Sequence, residues 1–141
     1  MSITSTLHIN FRGDAKAALE FYHSVFGGDL TVVPYGDAPL GQGPDQAEHV
    51  VWGQVLAPNG FHLMAFDVRD AQSWNPGEIP FYVSLRSADA EEITGFWNAL
   101  AESDGATVDE AFGPSAFSPL YGKVTDRFGV TWVVDQMVAW G

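Results

Sequence analysis

The sequence predicts an α+β fold: two βαβββ modules in tandem, forming a curved mixed sheet around a cavity, with the helices on the outer face. Three observations predict it. A strand, an amphipathic helix and three more strands occur in that order twice within 141 residues. The two halves rhyme, because Asp14-Ala15 with Phe21-Tyr22 recurs as Asp89-Ala90 with Phe96-Trp97 at the same internal spacing. Each half ends in a pair of strands joined by a turn that carries a glycine.

Thr6 to Phe11 alternates apolar Leu7, Ile9 and Phe11 with polar His8 and Asn10, the period of a strand with one buried face. Asp14 is placed to cap a helix whose stripe is Ala18, Leu19, Tyr22, Val25 and Phe26. Gly27 and Gly28 end it, and Leu30 to Pro34 reads as the second strand. Tyr35 to Gln46 reads as a mobile rim loop. Its Gly41-x-Gly43 lacks the strand before and helix after that a phosphate loop needs. Strands follow at His49 to Leu56 and Phe61 to Val68, joined by the hairpin signal Ala57-Pro58-Asn59-Gly60. Asp70 to Glu78 is a connector.

The second module opens with a strand at Phe81 to Arg86. Asp89 and Glu92 have capping-box spacing ahead of the stripe Ile93, Phe96, Trp97 and Leu100. Strands at Thr107 to Phe112, Tyr121 to Thr125 and Val130 to Val134 complete it, the last two joined at Asp126-Arg127-Phe128-Gly129. The modules span about residues 3–69 and 79–138 of one domain.

Composition narrows the function classes. Charged residues are 17% and hydrophobic residues 46%, the balance of a packed domain. Six Lys and Arg against eighteen Asp and Glu give a net charge of −12, which argues against nucleic-acid and anionic-membrane partners. No cysteine is present, so disulfides, thiolate metal sites and cysteine nucleophiles are excluded. No apolar run reaches a membrane span and the start lacks a signal-peptide pattern, so the expected location is cytoplasmic.

Two stretches carry a resemblance. They are Phe11-Arg12-Gly13-Asp14 continuing through Ala18-Leu19-Glu20-Phe21-Tyr22 to Val25-Phe26-Gly27-Gly28, and Tyr121-Gly122-Lys123-Val124-Thr125-Asp126-Arg127-Phe128-Gly129-Val130-Thr131-Trp132. With them the chain resembles the vicinal oxygen chelate superfamily of glyoxalase I, extradiol dioxygenases and bleomycin-resistance proteins, and within it the PhnB-like branch. That branch often carries a 3-demethylubiquinone methyltransferase label. The glycine-rich turn and parallel sheet that usually hold S-adenosylmethionine are not visible here, and fold kinship does not fix function.

The resemblance implies a divalent metal held by His and Glu from four strands, acting as a Lewis acid on vicinal substrate oxygens. Strand alternation places those positions nearest Thr6, Met64, Pro80 and Val133, a set that offers nothing to a hard or borderline cation. No cofactor is therefore expected, the alternative being one divalent metal ion. The cavity face offers other side chains. Trp52, Tyr121 and Met64 supply apolar contact for a flat ligand, while His8, Gln54, His62, Tyr82 and Lys123 supply polar groups. His23 and His49 read as solvated, and Ser115 and Ser118 lack a nucleophile elbow.

The leading expectation is a metal-free binder of a planar or aromatic small organic molecule in an aromatic-lined cleft, working as a homodimer, as is common in the superfamily. One alternative is a metal-dependent lyase, isomerase or dioxygenase with a rearranged site using His8 and His62 with Gln54 or Asp135. Another is a structural or partner-binding dimer with a filled cavity.

Overall fold

The computed structural model describes residues 4–138. The chain divides into two compact units, one ending at Pro76 and one beginning at Gly77. The first holds β1 (Leu7–Phe11), α1 (Ala15–Phe26), β2 (Asp29–Pro34), β3 (Val50–Leu56) and β4 (His62–Asp67). The second holds β5 (Val83–Ser87), α2 (Ala90–Ala101), β6 (Thr107–Gly113), β7 (Tyr121–Thr125) and β8 (Thr131–Gln136). Each unit builds its own four-stranded mixed sheet, in the orders β1-β4-β3-β2 and β5-β8-β7-β6. The first strand of each unit lies parallel to the last, and the other pairings are antiparallel. The twice-written βαβββ order is thus what the chain adopts.

One helix packs on one face of each sheet. In the first unit Leu19, Tyr22 and Phe26 of α1 are buried with Val55, Leu63 and Ala65 of the sheet. In the second, Ile93, Trp97 and Leu100 of α2 are buried with Val124, Trp132 and Val134. A glycine lets each helix approach. A Cβ on Gly53 would lie 2.4 Å from Leu19 Cδ1, and one on Gly122 would lie 2.8 Å from Trp97 Cζ3. Trp52-Gly53-Gln54 on β3 and Tyr121-Gly122-Lys123 on β7 are therefore equivalent positions of the repeat. Gly122→Ala should cost about 1–3 kcal/mol, because the Trp97 ring is itself packed and cannot yield freely. Urea unfolding followed by tryptophan emission measures it, and a variant as stable as the parent would refute the close approach.

The two hairpin turns are also equivalent. Ala57 N donates to Phe61 O at 2.9 Å and Gly60 N to Ala57 O at 3.2 Å, and Asp126 N–Val130 O and Gly129 N–Asp126 O repeat the pattern at 2.9 and 3.0 Å. Gly60 (φ 99°) and Gly129 (φ 87°) occupy the left-handed position that such a three-residue loop requires.

Several local expectations change. Asp14 makes no side-chain cap on α1. The buried Asp67 at the end of β4 does that work from across the unit: its Oδ1 accepts from Gly13 N at 2.6 Å and Ala15 N at 3.2 Å, and its Oδ2 from Val50 N at 2.8 Å. Asp89 does cap α2, accepting from the amides of Glu91 and Glu92. The return half of the box runs through Ser87, whose hydroxyl accepts from Asp89 N and donates to Glu92 Oε1. A Ser87 hydroxyl close at hand intercepts the glutamate before it reaches the cap residue.

The loop from Tyr35 to Gln46 is anchored, contrary to the mobile rim expected. Tyr35 is buried and donates its hydroxyl to Asp67 O at 2.7 Å, and burial pushes its pKa up, Arg69 opposing and Asp67 adding to the rise. Gln46 is 1% exposed and uses all four of its hydrogen-bonding positions. Its Oε1 accepts from Gly43 N and Asp70 N, and its Nε2 donates to Val68 O and His49 Nδ1. His49 is accordingly engaged in this network and is not a solvated edge residue. The connector after β4 is held too, because the Arg12 guanidinium donates to the carbonyls of Val68, Arg69 and Gln72 and lies 5.8 Å from the centre of the Trp74 ring. The strand expected from Phe81 begins at Val83 instead, leaving Phe81 84% exposed.

Candidate functional site

Each sheet has a face turned away from its helix, and the candidate residues fall on these two faces. Cross-strand pairing assigns them. In the first unit His8 pairs with Met64, Met64 with Gln54 and Gln54 with Thr31. Leu63 and Ala65, the residues flanking Met64, point to α1 and are buried, so the His8–Met64–Gln54 row points the other way. Trp52 lies two residues from Gln54 on the same face, and His62 two residues from Met64. All five candidates of the first module, His8, Trp52, Gln54, His62 and Met64, thus share one face.

Hydrogen bonding organises that face. Thr6 Oγ1 lies 3.0 Å from His62 Nδ1, and His62 Nε2 lies 2.8 Å from Gln54 Oε1. The amide oxygen can only accept, so His62 Nε2 is the donor to Gln54, and in the neutral imidazole the Thr6 hydroxyl donates to Nδ1. Both imidazole nitrogens are committed. Beside this relay stands Trp52, 38% exposed. His8 sits edge-on to Phe66, with ring centres 5.2 Å apart, and the loss of hydration holds its pKa below the ordinary histidine value. Thr6 was assigned from sequence only to a metal position. The register places His8 beside Met64, and Thr6 meets His62.

The second unit carries its candidates on the equivalent face, with different chemistry. Tyr121 pairs with Asp135 and Lys123 with Val133, and Val133 pairs with Ser84. Lys123 Nζ lies 4.9 Å from the centre of the Tyr82 ring and 3.5 Å from Glu110 Oε1. Burial lowers the Lys123 pKa, but Glu110, Tyr82 and Tyr121 together outweigh it and the net shift is upward, so the ammonium stays charged. Pairing shifts register between Val108 and Glu110 of β6, and Asp109 there accepts from Thr125 Oγ1 at 2.7 Å. Arg86 on β5, with β8 between it and the β7 candidates, is paired with Asp135 at 3.0 Å. Phe117 stands edge-on to Tyr121 at 4.9 Å. The sequence reading missed Arg86 here, although its alternation with Leu85 on the strand placed it on this face.

A divalent cation does not fit these donors. On the first face His62 has both nitrogens taken, leaving His8 and a thioether. On the second the carboxylates of Asp135 and Glu110 are matched to cations. Among the described residues no three His, Asp or Glu side chains gather as a cation would require. Nor is any described helix long and apolar enough to cross a membrane.

Comparison with known proteins adds to this. A family model described as 3-demethylubiquinone-9 3-methyltransferase matches residues 2–135. The chain is similar to the solved protein PA1353 of Pseudomonas aeruginosa, with 30% identity, 96% of this chain and 98% of that one covered, and a TM-score of 0.82. A PhnB protein of Bacillus cereus, described as a putative 3-demethylubiquinone-9 3-methyltransferase, is 24% identical over 96% of this chain and 100% of its own, with a TM-score of 0.70. A glyoxalase/bleomycin resistance protein/dioxygenase family enzyme of Burkholderia phytofirmans PsJN shares the fold at 16% identity and a TM-score of 0.64, over 95% of this chain and 98% of its own. Protein YjdN of Escherichia coli (strain K12) is 23% identical over 137 residues, 91% of each chain.

Proposed function

Because this chain belongs to the 3-demethylubiquinone-9 3-methyltransferase family, yet its donors do not fit the metal that its resemblance to the vicinal oxygen chelate superfamily implies, we propose that it binds a small planar organic molecule without a metal ion. The ligand lies on the face of the first unit that turns away from α1. The observation that carries this reading is the grouping, on that face, of an exposed Trp52 with Met64 and a Thr6–His62–Gln54 relay in which both His62 nitrogens are committed. An aromatic ring and a thioether reward a flat apolar partner, and a pre-ordered polar row fixes its orientation without paying to order itself. His8, held against Phe66, adds a second ring edge.

Equilibrium dialysis against a panel of flat uncharged aromatics, with and without a chelator, tests this reading. Saturable binding that is indifferent to the chelator is expected, and Trp52→Ala should weaken it about tenfold, the value of one lost aromatic stack with its buried area. Binding abolished by the chelator would overturn the metal-free reading. Binding unchanged in Trp52→Ala would remove the proposed wall.

A further inference from the structure

The relay on the first face has a direction, and that direction specifies the ligand's polar group. Gln54 Oε1 is occupied by the N–H of His62 at 2.8 Å. The amide nitrogen of Gln54 is thereby turned away from His62 with two hydrogens to give, and it makes no hydrogen bond to another described residue. Its cross-strand neighbours are Thr31 and Met64, and Trp52 stands one step along the strand face. A half-buried amide donor beside an exposed indole is left to be satisfied by water or by a ligand atom.

The surrounding charge narrows the choice. Apart from its histidines, the strand positions of this face hold one ionisable side chain, the exposed Asp29 at the start of β2 opposite Leu56, and its charge would repel an anion. Of the three Lys and Arg of this unit, Arg12 donates to the carbonyls of the connector, Arg69 donates to Leu40 O at 3.0 Å, and Lys16 lies on α1, on the other side of the sheet. An anionic group on this face would find no counter-charge, and a hydroxyl or amine hydrogen would meet the hydrogens of Gln54.

Resting on the reading that this face takes a flat ring, we propose that the ligand carries a neutral hydrogen-bond-accepting oxygen of the carbonyl type, held by the Gln54 amide N–H beside the Trp52 ring. Thr6 and His62 are positioning residues. They touch no ligand atom and act by keeping the amide of Gln54 in one of its two orientations. The ligand class is thus an aromatic or conjugated carbonyl compound.

Acetophenone and ethylbenzene, which differ by the carbonyl oxygen, are the probes, with affinities taken from ligand-observed NMR titrations. The full chain should bind acetophenone about tenfold more tightly. Gln54→Glu keeps an oxygen for His62 but removes the donor, and Gln54→Leu removes both. The preference should collapse in each, while Trp52→Ala weakens both probes equally. A preference that survives in both Gln54 variants while Trp52→Ala weakens both probes overturns this inference and leaves ring binding standing. Binding of neither probe, or no effect of Trp52→Ala on either, overturns the ring reading itself. Thr6→Val reports the positioning role: it should lower the preference without changing ethylbenzene affinity, and an unchanged preference would remove Thr6 from the relay.

Discussion

Replacing Asp67 with alanine should destabilise the protein by about 3–5 kcal/mol, since it leaves buried amides without acceptors at roughly 1–3 kcal/mol each. The carboxylate is 1% exposed and receives the amides of Gly13, Ala15 and Val50. It joins the end of β4 to the start of α1 and the start of β3, so its loss acts on three elements at once. Asp67→Asn separates the contributions. With its oxygen at the Oδ1 position it still serves Gly13 and Ala15, but its amide hydrogens then face Val50 N–H. The loss should be smaller, about 1–3 kcal/mol. Denaturant titrations of both variants give the two values. An alanine variant within about 1 kcal/mol of the parent would mean that water or Asp14 replaces the cap.

Gln46→Ala should cost about 2–4 kcal/mol and should loosen one region selectively. Four hydrogen bonds disappear, two of them to the amides of Gly43 and Asp70. Hydrogen exchange should accelerate at those amides and across the loop that follows β2, while the amides of α2 in the other unit stay protected. Uniform acceleration in both units would show that Gln46 supports global stability and not the loop.

The architecture was legible because burial writes its period into the chain. Leu7, Ile9 and Phe11 marked β1, and the stripe Ala18, Leu19, Tyr22 and Phe26 marked α1. The repeat itself was visible in paired motifs at equal spacing. The shared face of His8, Trp52, Gln54, His62 and Met64 followed from the same alternation. What stayed hidden was long-range. No local pattern tells that the cap of α1 comes from Asp67, more than fifty residues on. Glycines and prolines between Tyr35 and Gln46 suggested mobility, whereas the buried amide of Gln46 and the hydroxyl of Tyr35 tie the segment down. Thr6 escaped notice as a relay member for a related reason: its partner His62 lies 56 residues away, and only the parallel register of β1 on β4 brings the two together.

That parallel register also governs the order in which the protein can be made. β2, β3 and β4 are neighbours in both sequence and sheet, so each can pair antiparallel with the strand made just before it. β1 has no partner until β4 exists, because Leu7 pairs with Leu63 and Phe11 with Asp67. β5 waits in the same way for β8, where Val83 pairs with Trp132. In each unit the strand synthesised first is therefore the last to gain its place, and it stays unpaired until the fourth strand emerges. The high sequence separation of these contacts slows folding relative to a simple meander. It also makes β1 and β5 the segments through which a nascent chain is most exposed to mispairing.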